Sequence, residues 1–532
     1  MSKITIRNLS FIYDGFYEPV FEDLNCDIHL DWKLGLVGRN GMGKTTLLRL
    51  LQGELPYSGT ISAPVSFDYF PFQLPLEQAG GRSALESTRQ AIADYAAMES
   101  AMLAAAEAAA EDELTLARYG ELEQRFQELD GYIIDELITA EAGKLGIDVA
   151  ALERPFHSLS GGEATKLMLA ALFLKKGNFL LIDEPTDHLD LEGRRSVAAY
   201  LSQKSGFILV SHDRRFLDEI IDHVLVLEKH RQTMRQGSFS SYLEDKRLED
   251  LAELEQNERL EQQISSLERS SRQKRVWSGR REATKKSASD SGFVSARAAR
   301  VMKRALAIEQ RREDAIEEKR GLLRHIDYAP SLRIATLPYH RRLLVDTQEL
   351  TLGYSPDHPL FAPLSFSISV GERIALMGPN GSGKSTLFKA ILKELTPLSG
   401  SLRVGSELRI SHVAQEADYL QGDLRQFALA QGIDESLFKA ILRKLDFLRS
   451  DFEKEMQHYS QGEKKKVLLA ASLCSPSHLY LWDEPLNYID YYSREQIEKL
   501  LLEYQPTLLF IEHDRYFSEQ IATKRVQLSP SV

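Results

Sequence analysis

Only two of the 532 residues are cysteine, Cys26 and Cys474, too few for a disulfide framework or a zinc site. Thiols this sparse suit a reducing compartment. No apolar run approaches the ~20 residues that a membrane-spanning helix needs. The opening Met-Ser-Lys-Ile-Thr-Ile-Arg lacks the apolar centre of a secretory leader. Together these absences predict a cytoplasmic protein with no membrane partner. Proline is missing between Pro185 and Pro330, so no proline interrupts a long helix there. Positive charge is short as well: 66 Lys and Arg face 78 Asp and Glu, a net of −12. Apolar content of 43% and charged content of 27% are those of an ordinary soluble protein, and the length asks for several domains.

The proline-free stretch carries a helical signature. Leu248, Leu251, Leu260, Ile264 and Leu267 recur largely at three- and four-residue steps among Glu, Gln and Arg. Val301, Ala305, Ile308, Ala315 and Leu322 hold a similar stripe further on. The spacing predicts a helical hairpin over 241–328, with limbs of about 40 residues that reach roughly 60 Å at ~1.5 Å per residue. Its charge is uneven. Acids outnumber bases nine to four from Glu244 to Ser270, whereas Arg272–Arg304 carries eleven Lys and Arg against Glu282 and Asp290. That tip holds +9, so the remainder of the chain totals −21. A basic tip on an acidic body is the footprint of a polyanion probe. Candidate RNA contacts are Arg272, Lys274, Arg275, Arg280, Arg281, Lys285, Lys286, Arg297, Arg300, Lys303 and Arg304. Trp277 and Phe293 lie among them, where aromatic faces can stack on bases. The plainer alternative is a solvated coiled coil with a basic turn.

On either side of the hairpin the chain repeats itself. Gly38-Arg-Asn-Gly-Met-Gly-Lys44-Thr45 and Gly378-Pro-Asn-Gly-Ser-Gly-Lys384-Ser385 both fit G-x-x-x-x-G-K-[ST], each between a strand-like run and a helical one. Gly38, Gly41 and Gly43, like Gly378, Gly381 and Gly383, let backbone N–H groups converge on phosphate oxygens. The helix N-terminus that follows adds a favourable dipole. Lys44 and Lys384 reach the β- and γ-phosphates, and Thr45 and Ser385 can ligate Mg²⁺. Asn40, Thr46, Asn380 and Thr386 complete the two candidate ATP loops. Tyr13 and Tyr354 lie at similar distances upstream and can stack on adenine, with Phe16 a competing candidate in the first half. Packed strand tyrosines are the plainer reading.

Further on, Phe179-Leu-Leu-Ile-Asp183-Glu184 and Leu479-Tyr-Leu-Trp-Asp483-Glu484 read as buried strands ending in paired acids. The first acid of each pair can hold Mg²⁺; the second is placed to orient or deprotonate an attacking water. Before them stand Ser160-Gly161-Gly162-Glu163 and Ser460-Gln461-Gly462-Glu463, short turns that open helices and can receive a phosphate. After them, His212 and His513 each close an apolar strand some thirty residues beyond the acids, in the position of a γ-phosphate sensor. The interval from phosphate loop to Ser-Gly turn is 122 residues in the first half and 82 in the second. The surplus falls around 81–122, an Ala/Glu-rich segment that predicts a helical insertion.

Phosphate loop, Ser-Gly turn, Asp-Glu strand and His-Asp strand end, in that order, resemble the nucleotide-binding domain of ATP-binding-cassette proteins. Two such domains with a charged hairpin between them and no membrane span resemble the ABC-F family, over nearly the whole chain. The resemblance implies an α/β fold: tandem ABC-type nucleotide-binding domains at 1–240 and 329–532, joined by the α-helical hairpin. It implies a monomeric ATPase that sandwiches two ATPs, each with Mg²⁺, head to tail between its halves. Carried over, Lys44, Asp183, Glu184 and His212 share one ATP with Ser460 and Gly462. Lys384, Asp483, Glu484 and His513 share the other with Ser160, Gly161 and Gly162. Gln73 and Gln415 match the family's Mg²⁺-contacting glutamine, and Asp190 and Asp490 its inter-site aspartate. Departures predict unequal sites: Gln461 stands opposite Gly161, Leu-Asn-Tyr-Ile (486–489) opposite Thr-Asp-His-Leu (186–189), and Glu512 opposite Ser211.

Within the family, Trp32-Lys33-Leu-Gly-Leu-Val-Gly-Arg-Asn-Gly, Ala296-Arg-Ala-Ala-Arg-Val-Met-Lys-Arg304 and Asp483-Glu-Pro-Leu-Asn-Tyr-Ile-Asp490 look most like the antibiotic-resistance group, the Lsa-like and Vga-like proteins. That resemblance implies binding to the 70S ribosome at the tRNA exit site, against 23S rRNA, P-site tRNA and exit-site proteins. The hairpin would dislodge pleuromutilins, lincosamides and streptogramin A compounds from the peptidyl-transferase centre. The alternatives are a housekeeping translation factor with the same ATPase, the ATPase half of a membrane exporter, and a DNA-repair protein. The missing spans argue against the exporter. No coiled coil that might bind DNA follows the second His-Asp, which argues against the last.

Overall fold

The computed structural model describes every residue except 1, 16–18, 73–80, 109–112, 188, 229–230, 253–254, 258, 261, 266–332, 356–357 and 530–532. Packing divides the chain into two units, Met1–Phe239 with Pro330–Val532, and Ser240–Ala329. The larger unit is built twice over from the same plan. In its first half the strands are β1 (Lys3–Phe11), β2 (Phe21–His29), β3 (Lys33–Gly38), β4 (Ser58–Ser62), β5 (Ser66–Phe70), β6 (Asn178–Asp183), β7 (Phe207–Val210), β8 (His223–Glu228) and β9 (Arg231–Gln236). They form an antiparallel sheet ordered β2-β1-β4 and a larger one ordered β5-β6-β7-β3-β8-β9, parallel except for β9. The second half has β10 (Leu343–Thr351), β11 (Leu364–Ser369), β12 (Arg373–Met377), β13 (Ser399–Val404), β14 (Ile410–Val413), β15 (Leu479–Asp483), β16 (Leu508–Ile511) and β17 (Lys524–Gln527). These repeat both sheets, as β11-β10-β13 and β14-β15-β16-β12-β17.

Composition explains the layering. β7 (Phe-Ile-Leu-Val) and β16 (Leu-Leu-Phe-Ile) are buried along their whole length, as strands covered on both faces must be. One face of each central sheet meets the helix after the phosphate loop and the small antiparallel sheet, with Leu47, Leu48 and Leu51 in one half and Leu387, Phe388 and Ile391 in the other. The opposite face of the second half carries helices Gln461–Cys474 and Tyr491–Tyr504, packed around Trp482, whose indole N–H donates to Ser472 Oγ at 3.0 Å. Because the parallel strands point the same way, both phosphate loops and both acid pairs emerge at strand C-termini.

The surplus of the first half is helical. Helix Ala84–Ile92 opens with a Ser83–Glu86 capping box, and helices Tyr95–Ala108 and Glu113–Glu128 follow. Tyr95, Phe126, Ile134 and Ile138 close a small core of their own there. In the other unit, the described residues from 240 to 265 are helical. Leu260 and Ile264 are buried, but Leu248 and Leu251 are 62% and 49% exposed, so the predicted stripe is not continuously covered. Six charged residues between Glu244 and Asp250 keep that stretch in water. The return limb and every predicted RNA contact, Arg272 through Arg304 with Trp277 and Phe293, lie outside the described residues. No described helix is long and apolar enough to cross a membrane.

Buried charge braces the second half. Arg494 donates to Ile489 O at 2.8 Å, to Leu486 O at 2.9 Å and to Asp514 Oδ2 at 3.1 Å. Arg494→Ala should lower the stability of that half by ~3–5 kcal/mol in urea unfolding, since it strands a buried carboxylate. Exposed Lys499→Ala should stay within ~0.5 kcal/mol. Burial pushes the thiols of Cys26 and Cys474 up to about 12. At pH 8 only about one part in ten thousand of either is thiolate, so iodoacetamide should label neither until the chain unfolds; rapid labelling of the native protein would contradict this.

Candidate functional site

Each phosphate loop leaves its strand and winds through left-handed glycines into a helix. Gly41 and Gly43 have φ of 81° and 86°, and Gly381 and Gly383 have 77° and 86°, a region where side chains are strained. A Cβ on Gly43 would stand 2.5 Å from Val20 Cγ1, so packing forbids one as well. Lys44 lies buried in its loop, donating to Gly38 O at 2.8 Å and Arg39 O at 3.2 Å; Lys384 does the same to Gly378 O and Pro379 O, both at 2.9 Å. Burial lowers the pKa of both lysines. An ammonium held this way is ready to exchange carbonyls for phosphate oxygens. Tyr13 and Tyr354 stand beside these loops: Tyr13 Oη lies 2.9 Å from Thr46 Oγ1, and the Tyr354 hydroxyl bonds Thr386. Tyr354 is 69% exposed, leaving its ring open to a stacking partner.

The acid pairs face the loops across the strand ends. Thr45 Oγ1 and Tyr69 Oη donate to Asp183 Oδ2 at 2.8 and 3.0 Å, and Ser385 bonds Asp483 likewise. Burial raises the pKa of both aspartates, Asp483 to about 6. The residues fit a magnesium nucleotide: Asp483 Oδ1 is buried without a hydrogen-bond partner among the described residues, beside a serine hydroxyl and an anion-ready glycine loop. Bound there, Mg²⁺ would offset phosphate charge.

The next residue differs between halves. Glu184 and Glu484 both adopt left-handed φ, 48° and 46°, strain that a site must hold in place. Each meets a histidine, His212 Nε2 at 3.3 Å and His513 Nε2 at 3.2 Å. Glu484 also accepts from Asn487 Nδ2. In the first half Asp187 stands at that position, and burial followed by the charges of Asp187 and Asp183 pushes Glu184 up to about 8. On Glu484 burial acts upward too, but the His513 bond and nearby cations outweigh it. Burial, then Lys44 and Arg494, holds His212 well below the usual imidazole range. Glu512, opposite Ser211, accepts from the backbone N–H groups of His513 at 3.0 Å and Leu486 at 3.2 Å, tying the histidine to the loop after Glu484.

The two halves meet at the first phosphate loop. Asn40 Nδ2 donates to Tyr488 O at 3.0 Å, and a Cβ on Gly462 would lie 3.4 Å from the same nitrogen. Arg39 pairs with Asp446 at 3.3 Å and lies over the Tyr492 ring. Asp490 and Lys466 act on the charge of Lys44, and on that of His212. On the other side, Asp190 acts on Lys384. Ser160 and Ser460 each cap a helix in a capping box with Glu163 and Glu463. Gln73 and Phe16 lie outside the described residues. Several contacts were not foreseen from sequence: Tyr69 on Asp183, the Asn40–Tyr488 bond, and that of Lys465, whose ammonium is bonded to Gln415 O at 3.2 Å. The Asp187/Asn487 exchange beside the glutamates falls within the departure at 186–189 and 486–489 that is legible when the repeats are aligned.

Fold and site together define a tandem P-loop ATPase. The ABC transporter family matches residues 21–187 and 361–487. YdiF of Bacillus subtilis is 30% identical over 97% of this chain and 78% of its own length. The ribosome protection protein VmlR of the same organism is 29% identical over 99% of this chain and 86% of its own. The energy-dependent translational throttle protein EttA of Mycobacterium tuberculosis is 28% identical over 95% and 88%. An archaeal ribosome recycling factor, aABCE1, crystallised with the stalk protein aP1, shares the fold at 18% identity and a TM-score of 0.54, over 93% of this chain and 83% of its own. The chain belongs to the ABC transporter family, its full-length relatives being ABC-F proteins, and it hydrolyses ATP.

Asp187→Asn would give Glu184 the amide donor that Glu484 has and remove a like charge. With the second site silenced by Glu484→Gln, ATP turnover at pH 7 should rise as Glu184 ionises, about fivefold for the first pKa unit that it falls and about tenfold at most. An unchanged rate would mean that Asp187 does not set the difference.

Proposed function

We propose that the chain is a ribosome-binding ATPase that enters the tRNA exit site of the 70S particle, against 23S rRNA, P-site tRNA and exit-site proteins. There it uses the hairpin to displace antibiotics from the peptidyl-transferase centre. The observation that carries this reading is the insertion of a +9 segment, Arg272–Arg304, between two ATP domains of an otherwise acidic chain. The similarity to VmlR, a ribosome protection protein, supports it.

Lys44, Thr45, Gln73, Asp183, Glu184 and His212 bind one magnesium ATP together with Ser460 and Gly462. Lys384, Ser385, Gln415, Asp483, Glu484 and His513 bind the other together with Ser160, Gly161 and Gly162. Tyr13 and Tyr354 stack on the adenines. Glu184 and Glu484 orient and deprotonate the attacking waters, and His212 and His513 sense the γ-phosphates. Closure of the halves on ATP locks the hairpin in its ribosome-bound position, and hydrolysis releases it. The chain acts as a cytoplasmic monomer, with neither membrane nor DNA as partner. The similarity to EttA, a translational throttle protein, favours a second reading: the same ATPase and the same ribosomal seat without drug displacement.

Glu184→Gln with Glu484→Gln should trap ATP between the halves. That protein is expected to sediment with 70S ribosomes in ATP and not in ADP; a folded, ATP-loaded protein that stays in the supernatant would overturn the reading. Expression of the unaltered chain in a susceptible host should raise the inhibitory concentrations of pleuromutilins, lincosamides or streptogramin A. Ribosome binding without any such rise would select the throttle-like role.

A further inference from the structure

Helix Gln461–Cys474 touches both ATP sites. Its N-terminus, capped by Ser460, lies at the first site, where Gly462 faces Asn40. In its second turn Lys466 pairs with Asp490 at 3.1 Å, both almost wholly buried, and each acts on the charge of Lys44. The residue between these contacts belongs to the other site. Lys465 is 2% exposed, and its ammonium donates to Ala414 O at 2.8 Å, Asp483 O at 3.0 Å and Gln415 O at 3.2 Å. Three N–H groups thus meet three carbonyls, which saturates the group. The carbonyls come from the two residues that follow β14 and from the last residue of β15. The side chains on that main chain, Gln415 and Asp483, are those read as Mg²⁺ contacts of the second site.

A buried ammonium carries a large desolvation penalty. Fold stability does not demand it, because the matching helix Gly161–Leu174 of the first half has Thr165 at this position. A threonine hydroxyl offers one donor on a short stem and cannot span three carbonyls on two strand ends. Lys465 is therefore particular to the second half.

We propose that Lys465 is a positioning residue of the second ATP site, tying the main chain of Gln415 and Asp483 to the helix that presents Ser460 and Gly462 to the first site, so that the two sites change state together. The inference rests on the site pairing proposed above. With the lysine in place, a shift of Gln415 and Asp483 on nucleotide binding must move the helix. Without it, the strand ends are free to shift alone. Thr165, at the matching position of the first half, cannot make this tie, so the coupling runs through the second half's helix and acts on both sites reciprocally.

The test isolates the second site with Lys44→Ala and follows binding of a fluorescent ATP analogue while Mg²⁺ is titrated. In that background Lys465→Met, which keeps length and removes the donors, should raise the half-saturating Mg²⁺ concentration about tenfold. Binding in EDTA should be unchanged. Lys465→Thr, the first half's own residue, should behave alike. A folded variant whose Mg²⁺ requirement stays within about twofold overturns the proposal. Hydrogen exchange on the chain with Lys465 intact gives a reading that needs no foldable Lys465 variant. Magnesium ATP at the second site should slow the amides of 414–416 and 462–466 together; protection of 414–416 alone overturns the coupling. Loss of all binding on Lys384→Ala checks the site assignment separately, so a failure there is not mistaken for a failure of Lys465.

Discussion

The surroundings of the first phosphate loop are set by how the other half meets it. Asn40 reaches across to the Tyr488 carbonyl, Arg39 to Asp446 and the Tyr492 ring, and a Cβ on Gly462 would lie 3.4 Å from Asn40 Nδ2. These contacts are few and polar. Their geometry holds because buried charges fix the second half's loops from behind, Arg494 on Asp514 and Lys466 on Asp490. A buried pair adds little net stability but strongly penalises any arrangement that separates it. Such a device suits a surface that must present one defined geometry to a nucleotide.

Unequal sites follow from side-chain exchanges on nearly equal backbones. Glu184 and Glu484 share a strained φ, both meet a histidine at about the same distance, and both follow a buried strand. What differs is the shell around them: Asp187 against Asn487, Ser211 against Glu512, Thr165 against Lys465, and in the first half the Tyr69 bond to Asp183. Each exchange alters charge or hydrogen bonding within a few ångströms of the acids, where low polarisability makes such changes count. The fold is duplicated; the electrostatics are not.

The acidic body has a consequence for the chain as a whole. Outside Arg272–Arg304 the net charge of −21 disfavours the approach of polyanions, whereas the charge of the basic segment favours it. Such a contact weakens with salt, because counterions are released on binding.

By itself the sequence determined the duplication, the order of the phosphate loops, acid pairs and strand-end histidines, and the parallel α/β class. Phosphate and magnesium chemistry demand particular residues at short spacing on one loop, and buried strands demand uninterrupted apolar runs, so both are local and legible. The helical surplus near 81–122 was visible for the same reason, as a run of strong helix formers. Tertiary structure alone decided what lies far apart in the chain. Asn40 and Tyr488 are 448 positions apart, and Tyr69 reaches Asp183 across 114. Nothing in the sequence sets Lys465 apart from its neighbours Lys464 and Lys466, and only packing shows all three to be buried. Local pattern cannot report such pairs, because they are set by which strand ends the sheet brings side by side.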